Sequence, residues 1–293
     1  MALQTQSSPA AGLIVSMRPR QWIKNLLVVA VPLASGQLFT LSVIAKTLLA
    51  FVSMVLASSA VYLINDILDR DADRRHPTKR NRPIAAGQVS VRAAGLTAIC
   101  LAAASLALPA LFGSPRLDLL VLSYLLLQVT YVLWAKHQPV LDLACVAAGF
   151  VLRAVAGGVA VGIPTSTWFL TVTAASAVFV VSGKRYSELV SQGVSGTRSG
   201  LKSYSEGYLR FVWGVSVGIA VVFYTLWAAE LGSGGSAMWA RLSVIPFVLL
   251  LLRYARDVDT GSAESPEDLV WRDRVLQVLA GVWALMFVLQ AYA

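Results

Sequence analysis

The sequence predicts an all-α integral membrane protein, and three features support that fold class: the composition, the length of the apolar runs and the placement of the basic residues. Of the 293 residues, 57% are hydrophobic and 13% are charged, and the mean hydropathy is +0.70. A water-soluble domain carries roughly a quarter charged residues, so this chain lacks the polar surface to cover itself. Both cysteines, Cys100 and Cys145, lie inside apolar runs, which is typical of core residues rather than of a disulfide scaffold or a thiolate metal site.

A spanning helix needs about 20 mainly apolar residues, and the sequence contains nine runs of about that length. Each run is bounded by charged residues or by stretches that contain Pro or Gly. In chain order, the nine predicted spans are 22–40, 44–68, 93–112, 117–135, 140–163, 167–187, 208–231, 237–254 and 271–292.

The polar residues before the first span are predicted to be a disordered tail over 1–16. They lack the charged start of a cleavable signal peptide, and the apolar run that follows them is of full spanning length. Residues 17–293 are predicted to form a single transmembrane domain, since the sequence shows neither an internal repeat nor a second soluble domain.

The basic residues predict the orientation of the chain in the membrane. Twenty of the 24 Lys and Arg residues lie in the N-terminal flank or around the segments that follow even-numbered spans. The positive-inside rule therefore predicts a cytoplasmic N-terminus and, after nine crossings, an outer C-terminus. The formal charge of +9 is explained by this orientation and by anionic ligands, so no nucleic-acid partner is expected. The long polar loops 69–92, 188–207 and 255–270 fall on the cytoplasmic side, where we expect the chemistry.

An acidic stripe follows the second predicted span. At about 100° per residue, Asn65, Asp66, Asp69 and Asp73 share one arc of a helix, whereas Asp71 points away. Carboxylates that share a stripe repel one another and need a counter-charge, and Mg²⁺ is the natural one. The stripe is about 12 Å long, so one or two ions that bridge to a ligand's phosphates fit better than an all-protein cage. The simpler alternative is a solvated helix end paired with nearby arginines.

A basic segment comes directly after the stripe and contains Arg74, Arg75, Lys79, Arg80 and Arg82. Such a run is commonly a stop-transfer signal. Here the cations lie within ten residues of the acidic stripe, and Pro77 and Pro83 stiffen the segment. Metal-binding carboxylates beside guanidinium and ammonium groups are suited to a diphosphate ligand.

The motifs resemble those of the UbiA-type intramembrane prenyltransferases. Asn65-Asp66-x-x-Asp69-x-x-x-Asp73 matches the first aspartate motif of that family, which has nine helices and carries the motif after the second. Three further motifs resemble the branch that transfers phosphoribose to a polyprenyl phosphate: Arg18-Pro19-Arg20-Gln21-Trp22-Ile23-Lys24-Asn25, His76-Pro77-Thr78-Lys79-Arg80 with Arg82-Pro83-Ile84-Ala85-Ala86-Gly87, and Gly183-Lys184-Arg185-Tyr186-x-Glu188-Leu189. The resemblance runs from about residue 17 to residue 293.

The sixth span departs from the wider family, which has a second aspartate motif there. Lys184 and Glu188 stand at the two aspartate positions, four residues apart on one helix face. A cation in place of an anion favours direct phosphate binding and suits a donor with an additional phosphate. The simpler alternative is an ordinary salt bridge between the two residues. Tyr186 lies at about 200° from Lys184 on an ideal helix, so a role in the site requires the helix to unwind.

The resemblance implies a helical bundle around a central cavity open to the cytoplasmic side. It implies Mg²⁺-dependent transfer of 5-phosphoribose from phosphoribosyl pyrophosphate to decaprenyl (polyprenyl) phosphate, a step toward decaprenylphosphoryl-arabinose for cell-wall arabinan. The implied metal ligands are Asp66, Asp69 and Asp73, with Asn65 orienting the stripe. The implied substrate-binding residues are Lys79, Arg80, Arg82 and Lys184 for phosphates, Glu188 for ribose hydroxyls, Tyr186 beside them, and Lys24 for the lipid phosphate. The cavity would hold the polyprenyl tail, membrane lipids surround the bundle, and association of several copies is left open.

Arg153 is alone inside the fifth span, and Asp142 lies some 16 Å from it along the helix axis, so we expect Arg153 to snorkel or to meet another helix. Two alternative functions predict different features. A conventional prenyltransferase that alkylates an aromatic acceptor would have an aspartate pair on the sixth span. A lipid transporter would have broken helices and polar groups near the midplane, whereas these charges cluster at one face.

Overall fold

The computed structural model is a bundle of long α-helices, and it describes residues 8–192 and 203–292. Arg198 and Lys202, which contributed to the predicted orientation, lie outside the described residues. Within the described ranges, eight helices are long and apolar enough to cross a membrane. They are α3 (Leu41–Leu68), α5 (Val91–Leu111), α6 (Pro115–Leu133), α7 (Leu141–Val161), α8 (Thr167–Gln192), α9 (Glu206–Glu230), α10 (Gly235–Asp259) and α12 (Arg274–Tyr292). Each coincides with a predicted span, so the all-α membrane fold class is confirmed.

Short helices complete the bundle: α1 (Pro9–Ser16), α2 (Ala30–Ala34), α4 (Arg70–Arg75) and α11 (Pro266–Arg272), with 3₁₀ stretches at Pro19–Val29, Lys79–Asn81 and Ala135–His137. Local sequence sets several helix ends. The side chains of Ser90 and Ser205 accept hydrogen bonds from backbone N–H groups in the first turns of α5 and α9. Pro115 occupies the first turn of α6, where its missing N–H has no cost. Gly162, with φ of 77°, ends α7 in the left-handed region.

The remaining predicted span, 22–40, which is the first in chain order, is not one long helix. The chain runs as the 3₁₀ stretch Pro19–Val29 and then as the short α2. Pro32 removes one backbone donor inside α2. The 3₁₀ stretch also approaches α7 closely, because a Cβ atom built on Gly157 would lie 1.8 Å from the carbonyl oxygen of Val28. Apolar length alone could not predict this distortion, and the count of nine spanning helices is not confirmed.

The prediction of a disordered tail over 1–16 is wrong for residues 9–16. Residues Pro9–Ser16 form α1, with proline in its first turn and the Ser8 side chain accepting from the N–H of Ala11. Leu13 and Met17 pack against the small apolar cluster that includes Leu63 and Val89. This apolar contact holds the segment against the bundle. Residues 1–7 lie outside the described residues.

Arg153 lies inside the bundle and binds three neighbours. Its Nε donates to Oδ1 of Asn25 at 2.8 Å, and its two terminal nitrogens donate to the Tyr124 hydroxyl at 2.6 Å and to the carbonyl of Gly149 at 3.0 Å. Asn25 in turn donates to the Ser58 hydroxyl at 3.2 Å. The expectation that Arg153 meets another helix is therefore confirmed. These bonds tie the 3₁₀ stretch to α3, α6 and α7.

Replacing Arg153 tests whether this network holds the first segment in place. We expect Arg153→Met to lower the unfolding free energy by about 1–3 kcal/mol, because Asn25 and Tyr124 lose a charged hydrogen-bond donor in a buried site. Thermal unfolding of the detergent-solubilised protein measures this. Arg241→Met is the control, since Arg241 is exposed and donates to the carbonyl of Gly232 at the bundle surface. Equal losses in the two variants would contradict the prediction.

Candidate active site

The aspartate stripe lies where α3 passes into α4. Asp69 is the C-cap of α3 and the N-cap of α4. Its φ of −86° and ψ of 0° are close to helical values, so the stripe continues across the junction. Asp66 and Asp73 are both buried, with 3% and 5% of their surface exposed. Two buried carboxylates therefore lie at one end of a membrane-spanning helix, where unpaired charge is costly.

Arg82 joins these two carboxylates. Its Nη1 lies 3.2 Å from Oδ1 of Asp66 and 2.7 Å from Oδ2 of Asp73. Arg18 also binds Asp66, with Nη2 at 2.5 Å from the same Oδ1. The two predicted metal ligands at the ends of the stripe thus converge on a single guanidinium nitrogen.

Arg18 was not among the predicted site residues, although it begins one of the motifs. Its backbone adopts the left-handed region, with φ of 55° and ψ of 64°, which is uncommon for a residue with a side chain. Its guanidinium lies over the Tyr62 ring, 5.0 Å from the centroid, while it binds Asp66. The strained turn before Pro19 therefore aims this side chain at α3.

Asp69 does not join Asp66 and Asp73. Its Oδ1 accepts from Nζ of Lys136 at 2.6 Å, and Lys136 belongs to the 3₁₀ turn that follows α6. Asp71 points to the outside, as predicted, and contacts Arg70 and Arg74. In the described part of the chain, no group of three or more His, Cys, Asp and Glu side chains is placed to hold a metal ion. The predicted three-carboxylate stripe is therefore divided in the structure.

Asp66 and Asp73 nonetheless fit a metal site that a ligand completes. Mg²⁺ is commonly held by one or two carboxylates together with substrate phosphates and waters. These two side chains supply hard oxygen donors that already converge on one cationic group, Arg82. Asp69 fits less well because Lys136 neutralises it. Asn65 lies half-buried one residue before Asp66.

A second buried ion cluster, which we call the Arg185 cluster, lies where α7 begins and α8 ends. Arg185 contacts Asp142 through Nε at 3.5 Å, Glu188 through Nη1 at 3.2 Å and the Tyr131 hydroxyl through Nη2 at 3.4 Å. Lys184 is farther from Glu188, with Nζ and Oε1 4.0 Å apart. Arg185, rather than Lys184, is thus the close ionic partner of Glu188.

The end of α6 connects the Arg185 cluster to the aspartates. Tyr131 accepts from Arg185, and Lys136, five residues later, donates to Asp69. At a rise of about 1.5–2 Å per residue, this separation is about 8–10 Å. The two halves of the predicted site therefore lie near one another at the same end of the bundle.

The other predicted phosphate-binding residues lie around the aspartates. Lys79 is half-buried and Arg80 is exposed, both on the 3₁₀ turn Lys79–Asn81. The His76 ring accepts from the backbone N–H groups of Thr78 and Lys79, so it shapes this turn. Lys24 is half-buried on the 3₁₀ stretch Pro19–Val29.

Tyr186 is directed away from the cluster. Helix α8 continues through it, so the unwinding that its predicted role required does not occur. Only 2% of its surface is exposed, its hydroxyl accepts from Arg210 at 2.5 Å, and its ring packs against Trp213 of α9. The structure thus assigns Tyr186 to the packing of α8 against α9 rather than to substrate binding.

Two of the cavities at the bundle surface lie away from the paired aspartates. One, of about 510 Å³, lies between the 3₁₀ stretch and α11 and includes Arg20 and Trp271; the other, of about 680 Å³, is a largely apolar groove that includes Lys46 and Phe112. Neither is lined by the paired aspartates, so the central lipid cavity stays a prediction.

Comparisons with known proteins agree with the motifs. Residues 26–276 match the model of the UbiA prenyltransferase family. The decaprenyl-phosphate phosphoribosyltransferase of Mycobacterium tuberculosis is 47% identical over 96% of this chain and 94% of its own, and that of Corynebacterium glutamicum is 43% identical over 99% and 89%. A UbiA homologue from Archaeoglobus fulgidus, solved with GPP and Mg²⁺, has the same fold, with a TM-score of 0.71, 21% identity and coverage of 95% of this chain and 98% of its own.

Removing Arg82 tests the shared pairing of the aspartates. We expect Arg82→Ala to lower the unfolding free energy of the ligand-free protein by about 2 kcal/mol or more, since two buried carboxylates would then face one another without their common cation. Thermal unfolding in detergent without Mg²⁺ measures this. Arg80→Ala, an exposed arginine on the same loop, is the control for stability. Matching unfolding temperatures for the two variants would count against the pairing.

Proposed function

The chain belongs to the UbiA prenyltransferase family, and on that premise we propose that it transfers a 5-phosphoribosyl group from phosphoribosyl pyrophosphate to decaprenyl phosphate and releases pyrophosphate. The observation that carries this proposal is the similarity to two phosphoribosyltransferases, at 47% and 43% identity over most of each chain. The cation at Lys184, where the wider family has an aspartate, supports a donor with an additional phosphate.

Asp66 and Asp73 would hold Mg²⁺ together with oxygens of the donor's pyrophosphate. The bound ion would supply charge stabilisation for the pyrophosphate as it leaves. A related archaeal protein was solved with Mg²⁺ and a prenyl diphosphate, which supports the use of a divalent ion in this fold. Asp69, which Lys136 neutralises, would contribute by orienting the end of α6.

Arg82 would exchange partners when the donor binds. In the structure it neutralises Asp66 and Asp73, and a metal ion held by both carboxylates would compete with it for these oxygens. A displaced guanidinium beside a diphosphate would donate to the phosphate oxygens in its forked geometry. Arg18 would remain on Asp66 and limit the negative charge there. Lys79, Arg80 and Lys184 would bind the remaining phosphates.

The acceptor needs little activation. A phosphate monoester oxygen of the lipid is ionised at neutral pH, so it can attack the ribose anomeric carbon without a general base. The new bond joins that oxygen to the anomeric carbon, and the bond from this carbon to pyrophosphate breaks. Lys24, on the 3₁₀ stretch, would hold the lipid phosphate in line. The protein's contribution is then positioning and charge compensation.

The site is proposed to face the cytoplasm of a bacterial plasma membrane. The aspartates, the basic turn Lys79–Asn81 and the Arg185 cluster lie at one end of the bundle, the end to which the basic residues assign the cytoplasmic side. A highly charged, soluble donor would reach that end from the cytoplasm, while the lipid acceptor would enter from the bilayer.

Asp66→Asn and Asp73→Asn should each abolish Mg²⁺-dependent transfer, because each removes one of the two converging carboxylates. The assay uses purified protein, polyprenyl phosphate and radiolabelled phosphoribosyl pyrophosphate, with label counted after extraction into organic solvent. Asp71→Asn is the matched control, since its side chain is 75% exposed on the opposite face, and it should retain transfer. Wild-type turnover in either of the first two variants would refute the metal assignment.

Arg82→Gln should bind Mn²⁺ more tightly than the wild type in the absence of donor, since the competing guanidinium is gone from the carboxylates. Electron paramagnetic resonance of free Mn²⁺ gives the affinity directly. Asp66→Asn in the Arg82→Gln background should abolish the gain. An unchanged Mn²⁺ affinity in Arg82→Gln would show that Arg82 and the metal do not compete.

A further inference from the structure

The Arg185 cluster contains a buried cation between two carboxylates. The side chains of Arg185 and Asp142 are 9% and 7% exposed, whereas Glu188 is 19% exposed and Lys184 is 34% exposed. The accessible part of the cluster is therefore Glu188 and Lys184. Arg185 binds Oε2 of Glu188 at 3.2 Å, while Oε1 lies 4.0 Å from Lys184, beyond ordinary hydrogen-bond distance. Oε1 thus keeps acceptor capacity for a ligand hydroxyl.

Asp142 is itself held firmly. The Tyr204 hydroxyl donates to Oδ1 of Asp142 at 2.5 Å and accepts from the backbone N–H of Val140 at 2.5 Å. Burial raises the pKa of the Tyr204 hydroxyl above its ordinary value, and the bond to Asp142 adds to this, so the hydroxyl stays a donor. The cluster is thereby fixed from α7, from α6 and from the segment before α9.

Val140 provides a second, independent observation. It has φ of 69° and ψ of −46°, and Arg18 is the other non-glycine residue with positive φ in the described ranges. A β-branched residue is costly in this conformation, which persists only where its surroundings impose it, often at functional sites. One strained residue thus adjoins each ion cluster: Arg18 contacts Asp66, and Val140 contacts the hydroxyl that holds Asp142.

We propose that Arg185, held by Asp142 and Tyr131, is a positioning residue that fixes the Glu188 carboxylate against the ribose 2-hydroxyl of the donor, and so sets the preference for ribosyl over 2-deoxyribosyl donors. This inference rests on the proposed function. A carboxylate with one oxygen tied down and the other open is a rigid acceptor. A site built around such an acceptor rejects an analogue that lacks the hydroxyl, because its polar group is then left without a partner.

The fork of the guanidinium is essential to this role. Nε, Nη1 and Nη2 of Arg185 each contact a different residue, namely Asp142, Glu188 and Tyr131. A lysine at this position keeps the charge but cannot span three partners in fixed directions. Arg185→Lys should therefore loosen Glu188 while the buried positive charge stays.

The test compares phosphoribosyl pyrophosphate with its 2-deoxyribose analogue as donors for polyprenyl phosphate. With the ribosyl donor, Arg185→Lys should raise KM about tenfold and leave kcat within about twofold, as for loss of one charge-assisted hydrogen bond. With the deoxy donor, kcat/KM should stay nearly constant. The ratio of the two kcat/KM values should thus fall about tenfold. The two donors differ in intrinsic reactivity, but this difference is the same for the wild type and every variant. The informative quantity is therefore the change in the ratio between wild type and variant.

Glu188→Gln should reduce the same ratio, and Arg185→Lys added to it should reduce the ratio no further. Should Arg185→Lys fail to fold, Asp142→Asn replaces it, with the same expected loss of preference. Arg210→Lys is the matched control and should leave the ratio unchanged, since Arg210 is largely exposed and contacts Tyr186 and Asp259.

Two results would overturn the inference in different ways. If the wild type transfers label but Arg185→Lys or Asp142→Asn weakens both donors equally, the cluster is only a structural bridge between α7 and α8. If the wild type forms no labelled lipid from either donor, the proposed function fails and this inference fails with it.

Discussion

Buried negative charge at the end of an apolar bundle is the constraint on which the rest of the structure depends. Asp66 and Asp73 lie where water is scarce, and each must keep a cation within contact distance. In the structure, Arg82 and Arg18 meet this need. The same requirement would account for the proposed chemistry, since a metal ion that arrives with the pyrophosphate would replace one internal cation and leave a guanidinium to bind the phosphates.

The surrounding elements serve to place these charges. Arg153 ties the irregular first segment to α3, α6 and α7, and that segment begins at the strained Arg18 that reaches Asp66. The end of α6 carries Lys136 toward the aspartates and Tyr131 toward the Arg185 cluster. These hydrogen bonds and ion pairs therefore connect the core of the bundle with the charged residues of the site.

Local sequence patterns could predict the positions of the helices and the helix face on which each residue lies, because both depend on residues close together in the chain. Apolar runs located the eight spanning helices, and helix geometry placed Asp66 and Asp73 together and Asp71 away. Helix geometry also placed Tyr186 on a different face from Lys184, and the bond from Arg210 to the Tyr186 hydroxyl agrees with this. Periodicity carries no information on partners 48 or 67 residues away, so the pairing of Arg18 with Asp66 and of Lys136 with Asp69 needed the structure. Nor could hydropathy predict the distortion of 22–40, which reflects the close approach of α7 at Gly157.

In the proposed mechanism, Arg82 and the donor's metal compete for Asp66 and Asp73. An experimental structure with Mn²⁺ and phosphoribosyl pyrophosphate, with the metal located by its anomalous scattering, tests it most directly. We expect an ion held by both carboxylates and the Arg82 guanidinium on phosphate oxygens. A structure in which Arg82 still bridges the two aspartates, with the metal and pyrophosphate bound elsewhere, would contradict it.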